Sequence, residues 1–184
     1  MTDIMVDAFF DDPTWGWAFP DPARRRDQHR AMWSLFIEGA ARYPWTWLAD
    51  GGTAAAVWIP PGGTESTPEQ GARIEALVGN LPEPDRARVS AAFALIEDAH
   101  GDLTEPHYYL SFLGTDPQSR GHGFGLGLLA DNLRLIDEER MPAYLESSNP
   151  ANVALYRRHG FEVVTRFVVE PGGPEVTTMW RDSV

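Results

Sequence analysis

The chain has 184 residues, 43% of them hydrophobic and 23% charged, with a formal net charge of −12 and no cysteine. That length suits a single hydrophobic core, no apolar run approaches the roughly eighteen residues of a membrane span, and the acid excess opposes a nucleic-acid partner, whose affinity rests on cationic neutralisation of phosphates. Lysine is also absent, so all 15 basic residues are arginines; together the two absences remove the P-loop lysine, the Schiff-base lysine, the cysteine nucleophile and thiolate metal sites.

In chain order, the N-terminus has Asp3 and Asp7 where a secretory signal would place a basic and then an apolar segment, which points to a cytoplasmic protein. Asp21 followed by Pro22 starts a helix whose apolar positions Met32, Leu35, Phe36, Gly39 and Ala40 recur at three and four, giving a helix to about Arg42. Trp45–Ala49 and Thr53–Ile59 flank the turn signal Asp50-Gly51-Gly52 and read as a hairpin. Pro60-Pro61-Gly62-Gly63 stops the second strand and opens a polar loop to Pro68. Two helices follow, one begun near Ser66 or Thr67 and one at Pro84, through Val89, Phe93 and Ile96.

From His107 the pattern becomes strand, helix, strand, helix, strand, strand. Tyr108–Thr115 is a strand, and Gly123–Arg140 carries Leu126, Leu129, Leu133 and Ile136 as one apolar stripe. Ala143–Ser147 is a short strand, and the next helix runs from an Asn149 cap and Pro150 to Gly160. Phe161–Val169 and Glu175–Arg181 close the chain as a hairpin around Pro171-Gly172-Gly173-Pro174.

Between the strand ending at Thr115 and the helix lie Arg120, Gly121, His122, Gly123, Phe124 and Gly125. Three alternating glycines let the backbone approach a ligand and align several N–H groups, and the helix adds free N-terminal amides and the positive end of its dipole. This suits a pyrophosphate. A dinucleotide fingerprint fails, because its last glycine would fall on Leu126 or Leu128, and a Walker loop fails for want of lysine. The five histidines show no paired ligand spacing, so no metal is expected.

The segment Leu113–Gly125 resembles the acetyl-CoA motif of the GNAT superfamily of N-acetyltransferases, with Arg120, Gly123 and Gly125 on its arginine and glycine positions. Asn149–Phe161 resembles that superfamily's later segment, an asparagine followed by L-Y-x-x-x-G-F. Within the superfamily the likeness is to the puromycin N-acetyltransferases and their actinobacterial relatives, through Asp7–Pro13, Ala55–Trp58, Glu105–Leu110 and Tyr144–Ser148. It is firm from about residue 105 and loose over residues 60–104. The resemblance implies an α/β fold, a mixed, mostly antiparallel central sheet flanked by helices. It implies one domain over residues 1–184, with residues 1–104 serving the acceptor and 105–184 acetyl-CoA. Because Asp7-Ala8-Phe9 stands so near the start, the usual first strand is expected to be missing, which would bare its neighbour's edge.

The resemblance further implies transfer of an acetyl group from acetyl-CoA to a primary amine of a small molecule by direct attack. The alternatives are a protein or peptide amine as acceptor, or a non-catalytic acyl-CoA-binding module. Phe112, Leu113, Gly114 and Thr115 would hold the pantetheine arm, Arg120–Gly125 the pyrophosphate, and Asn149 and Asn152 would bond the arm. Tyr156 is the expected general acid. Glu146, at the end of its strand, is the first candidate base, followed by His107 and Glu38. Trp15, Trp17 and Trp33 are assigned to an acceptor pocket. Neither a nucleic-acid nor a membrane partner is expected, and the chain is taken as monomer or homodimer.

Overall fold

The computed structural model describes residues 1–101, 103–170 and 172–184; Pro171 of the expected final turn lies outside them. Three helices come first: α1 (Thr2–Ala8), α2 (Pro13–Ala18) and α3 (Pro22–Ala40). Both α2 and α3 begin with Asp-Pro: the Asp12 carboxylate accepts from the Thr14 and Trp15 amides, and Asp21 caps Ala23 in the same way. The helix expected to reach Arg42 stops at Ala40, where the chain tightens into a turn, the Tyr43 amide donating to Ala40 O at 2.9 Å, before Pro44, which has no N–H to continue.

β1 (Thr46–Leu48) and β2 (Ala54–Ile59) form the expected hairpin, joined by a 3₁₀ turn over Asp50–Gly52 in which Gly51 has a φ of 71°. α4 (Pro68–Gly79) starts at a capping box in which Thr67 and Gln70 satisfy each other's backbone amides, and α5 is Asp85–Gly101. β3 (Tyr108–Thr115) leads through the glycine loop into α6 (Phe124–Glu138), followed by β4 (Ala143–Ser147). The single helix expected after Asn149 is divided into a 3₁₀ turn, Pro150–Asn152, and α7 (Val153–Arg158), because the Asn149 side chain caps Ala151 and tightens the first turn. β5 (Glu162–Val168) and β6 (Glu175–Arg181) complete the chain.

The six strands run in the order β1-β2-β3-β4-β6-β5, antiparallel except for β3 beside β4. This is the expected mixed, mostly antiparallel sheet, and among the described residues its first strand is the edge strand β1. One face packs on α1–α5 through Trp15, Trp33, Val57, Phe112 and Tyr144; the other packs on α6 and α7 through Trp58, Leu110, Leu129, Leu145 and Met179. The α6 stripe does as its spacing requires: Leu129, Leu133 and Ile136 are buried.

Two irregularities shape the site. β3 and β4 pair only at Tyr108↔Ala143 and Tyr109↔Tyr144, then diverge. β3 also carries a bulge, since Trp58 faces Leu110 and Val57 faces Phe112, leaving Ser111 outside the ladder. The bulge explains why Tyr109 and Phe112, three apart, share one face while Tyr108 and Leu110 share the other.

Buried Trp58 donates from Nε1 to Asn132 Oδ1 at 3.0 Å, tying the sheet to α6. Asn132→Ala would orphan that N–H in the core, and urea unfolding should register a loss of about 1–3 kcal/mol.

Candidate active site

Where β3 and β4 separate, a cavity of about 890 Å³ opens mainly on the face of the sheet covered by α1–α5, within the range of small-molecule sites. Its wall combines residues far apart in sequence: Glu65 from the loop after β2, Tyr109 and Ser111 from β3, Glu146 from β4, and Asn152 and Tyr156 from the turn and helix beyond. Trp15, Trp33, Phe36 and Phe93 supply an aromatic side, with Trp15 and Trp33 in edge contact at a centroid distance of 4.8 Å.

Glu146 sits one residue before the end of β4, opposite Thr178 of β6, beside the divergence. Its Oε1 is buried and has no hydrogen-bond partner among the described residues. Burial pushes its carboxyl up to about 8; the Tyr109 and Tyr144 hydroxyls oppose the rise and the Glu65 charge adds to it. A carboxyl that ionises in that range can take a proton from an amine near neutral pH. Burial also raises the Tyr156 phenol, helped by the Asp12 charge, so it remains a proton donor. Asp12 is fixed in turn, its Oδ2 accepting from Ser148 Oγ at 2.8 Å while Thr14 Oγ1 donates to Ser148 O at 2.8 Å. The start of the chain is thereby tied to the end of β4.

The cavity brings together Glu146, Tyr156, Asn152, Phe112, Leu113, Trp15 and Trp33 of the residues expected from sequence. Others lie elsewhere. Trp17 stands under Arg88, with the guanidinium 5.5 Å from its ring, and is not on the cavity wall. Asn149 uses its side chain to cap Ala151 at 3.0 Å. Of the two further candidate bases, Glu38 is exposed on α3, and His107 contacts His100 Nε2 at 3.0 Å through its own Nε2 and Glu105 O at 2.6 Å through Nδ1. His100, not His107, reaches the cavity, and burial lowers it to about 4, which keeps it neutral.

Gly114 and Thr115 end β3, and the glycine loop follows. Gly121 and Gly123 have φ of 82° and 81°, and open space lies where a Cβ would point. Gly123 is the N-cap of α6 and offers no side-chain cap, which leaves the helix's first amides free for an anion. Gly125 is required for another reason, since a Cβ there would collide with Thr115 Oγ1. Arg120 donates to Ala8 O at 2.9 Å, bridging the loop to α1, while the His122 and Phe124 rings stack with centroids 5.9 Å apart. These features fit a phosphorylated co-substrate.

Sequence reasoning missed Glu65, Asp12, Tyr109 and His100. Glu65 lies in an aperiodic polar loop, and Asp12 carries only the signal of a helix cap.

Residues 3–161 match the model of the acetyltransferase (GNAT) family. Among solved structures, the chain is similar to a Corynebacterium glutamicum protein described as histone acetyltransferase HPA2 and related acetyltransferase, at 23% identity and a TM-score of 0.69 over 100% of this chain and 89% of that one. It is similar to an agmatine N-acetyltransferase in its apo form, at 16% identity and 0.66 over 99% and 92%. A polyamine N-acetyltransferase of Drosophila melanogaster aligns at 15% identity and 0.62 over 97% and 91%. At these identities the structures establish a common fold.

A carboxyl that ionises near 8 when folded and near 4.5 when unfolded keeps a proton in the native state that the unfolded chain gives up. Its contribution to stability is complete below about pH 4.5 and is lost as pH rises through about 8. Thermal unfolding should therefore show the wild-type melting temperature falling across this window more steeply than that of Glu146→Gln, with the variant the more stable by several degrees at the alkaline end.

Proposed function

The chain belongs to the GNAT family of acetyltransferases, and on that premise we propose that it transfers an acetyl group from acetyl-CoA to the primary amine of a small molecule by direct attack. The observation that carries this reading is the meeting of Glu146 and Tyr156 in one cavity at the divergence of β3 and β4. Acetyl-CoA, as co-substrate, supplies the activated acyl group.

The chain's own residues divide the remaining work. The free amides of the glycine loop and of the α6 N-terminus bind the pyrophosphate. Beyond Tyr109, β3 has no pairing with β4; because backbone groups alternate sides along a strand, those of Leu113 and Thr115 face that side and are available to the pantetheine arm and the thioester oxygen, while those of Phe112 are engaged with Val57 of β2. Asn152 supports the arm from the facing wall. Glu146 removes a proton from the ammonium form of the acceptor, the free amine attacks the carbonyl carbon, and the C–S bond breaks as the C–N bond forms. Tyr156 protonates the departing sulfur; Glu146 and the new amide nitrogen each release a proton to solvent, and Tyr156 takes one back, which resets both residues. The balance is one ammonium and one thioester consumed, with one amide, one thiol and one proton released.

The wall of Trp15, Trp33, Phe36 and Phe93 fits an aromatic or apolar body attached to the amine, in keeping with the resemblance to puromycin N-acetyltransferases. Glu146→Gln is expected to lower kcat and remove its rise with pH. Tyr156→Phe should lower kcat by about 100-fold with little change in the KM for acetyl-CoA, followed by thiol release against a panel of primary amines. Wild-type rates in Tyr156→Phe, under conditions where chemistry limits turnover, would defeat the assignment.

A further inference from the structure

The loop between β2 and α4 carries a second carboxylate into the cavity. It is held on its outer side by α3 and the turn that follows: the Arg42 guanidinium donates to Thr64 O at 2.5 Å and to Thr64 Oγ1 at 2.9 Å, and the Thr64 amide donates to the Tyr43 hydroxyl at 3.1 Å. Thr64 Oγ1 in turn donates to Ser66 O at 3.0 Å, and the Thr67–Gln70 capping box fixes the far end. The backbone of α3 passes so near that a Cβ on Gly39 would collide with the Glu65 carbonyl oxygen. With Thr64 and Ser66 anchored, the Glu65 side chain is directed to the sheet, where its carboxylate accepts from Ser111 Oγ, the hydroxyl that the β3 bulge takes out of the ladder.

Glu65 and Glu146 thus line the same cavity from within, while Glu75 of α4 and Glu97 of α5, also on its wall, are exposed to solvent. Among the described residues, no ion pair involves Glu65 or Glu146, and Arg86, the arginine on the cavity wall, is engaged with Glu83 at 2.6 Å. Two inward carboxylates without a cation are costly, and a cation entering from solvent offsets that cost. An amine at neutral pH arrives as such a cation, with three N–H donors. A single carboxylate that takes one of these protons can no longer hold the group as a charge partner.

We propose that Glu65 is the ammonium-binding residue of the acceptor site, holding the protonated primary amine by a charge-assisted hydrogen bond while Glu146 acts as base, and that the pair restricts acceptors to cationic primary amines with an apolar or aromatic body. This rests on the reading of the cavity as the acceptor side of an acetyl transfer. Ser111 is the positioning residue for Glu65, and burial, which raises the Glu65 carboxyl against the lowering influence of Ser111, agrees with a site that waits for a counter-charge.

The test is equilibrium binding, by titration calorimetry at neutral pH, of 2-phenylethylamine and of the neutral 2-phenylethanol, which shares its ring and chain length. The wild-type protein should prefer the amine. Glu65→Gln should weaken amine binding by about tenfold and leave the alcohol unchanged, as befits a lost charge-assisted bond. Ser111→Ala should weaken it less and in the same sense. Affinity for acetyl-CoA and the melting temperature, read on the same samples, report that each variant is folded. The proposal is overturned if Glu65→Gln binds the amine as tightly as the wild type, or if the wild type does not distinguish amine from alcohol. Thiol release tests the underlying reading separately: Glu65-dependent amine binding without turnover upholds the ammonium site and sinks acetyl transfer, whereas turnover with an unchanged KM in Glu65→Gln does the reverse.

Discussion

β3 and β4 run in parallel for two residue pairs and then part, and the features of the site are arranged around that divergence. A parallel pair that continued would satisfy the backbone of β3 on both sides and close the sheet. By stopping at Tyr109, the pairing leaves one edge of β3 without a strand partner inside the protein, and unpaired backbone groups there seek a ligand. The same separation makes room for the Tyr156 side chain from one side of the sheet and for Glu146 at the strand end. The bulge at Ser111, on the strand's other side, adds a hydroxyl to the wall without breaking the β2 ladder on either side of it.

An opening in the middle of a sheet has to be closed by something, and the N-terminal half does so. α1–α5 cover one face with a cluster of aromatic rings centred on Trp33, which is fully buried and in ring contact with Phe9, Trp15, Phe19, His29, Phe36 and Phe112. The rings remove water from the cavity's surroundings, which strengthens electrostatic interactions inside it and raises the proton affinity of the carboxylates placed there. Among the described residues, polar bonds hold this half to the rest near the site: Asp12 and Thr14 to Ser148 after β4, Glu65 to Ser111 on β3, and Arg120 of the glycine loop to the end of α1. Packing and polar bonding therefore converge on the same few residues, and the site's geometry is a product of both.

The glycine loop was the most legible part of the sequence because its conformation is local. Alternating glycines, a preceding strand and a following apolar stripe all lie within one stretch of chain, and the backbone they imply, with positive φ at Gly121 and Gly123 and an uncapped helix start, follows from residue type. The strand and helix order from residue 107 onward was legible for the same reason, as were the Asp-Pro and Asn-Pro caps. Boundaries moved by one to a few residues where local bonds competed, as in the turn that ends α3 and in the 3₁₀ turn made by the Asn149 cap. Trp17 shows the opposite case. The sequence assigns it with Trp15 and Trp33 to one pocket, yet Trp15 and Trp17 lie on different faces of α2, and Trp17 meets Arg88 instead.

By itself, then, the sequence determined the order of elements, the glycine loop at the start of α6, the candidate Glu146 and Tyr156 and, through the absence of lysine and cysteine, the chemistries that are closed to the chain. Only the tertiary structure decided that a loop glutamate, Glu65, stands in the same cavity as Glu146, that the charge of Asp12 acts on Tyr156, and that His100 rather than His107 faces the cavity. The physical reason is that periodicity and capping are read within one helix or strand. Meetings between residues 65, 111 and 146 depend instead on how far two strands stay paired and on where one residue is left out of a ladder, and these are settled by the packing of the whole sheet.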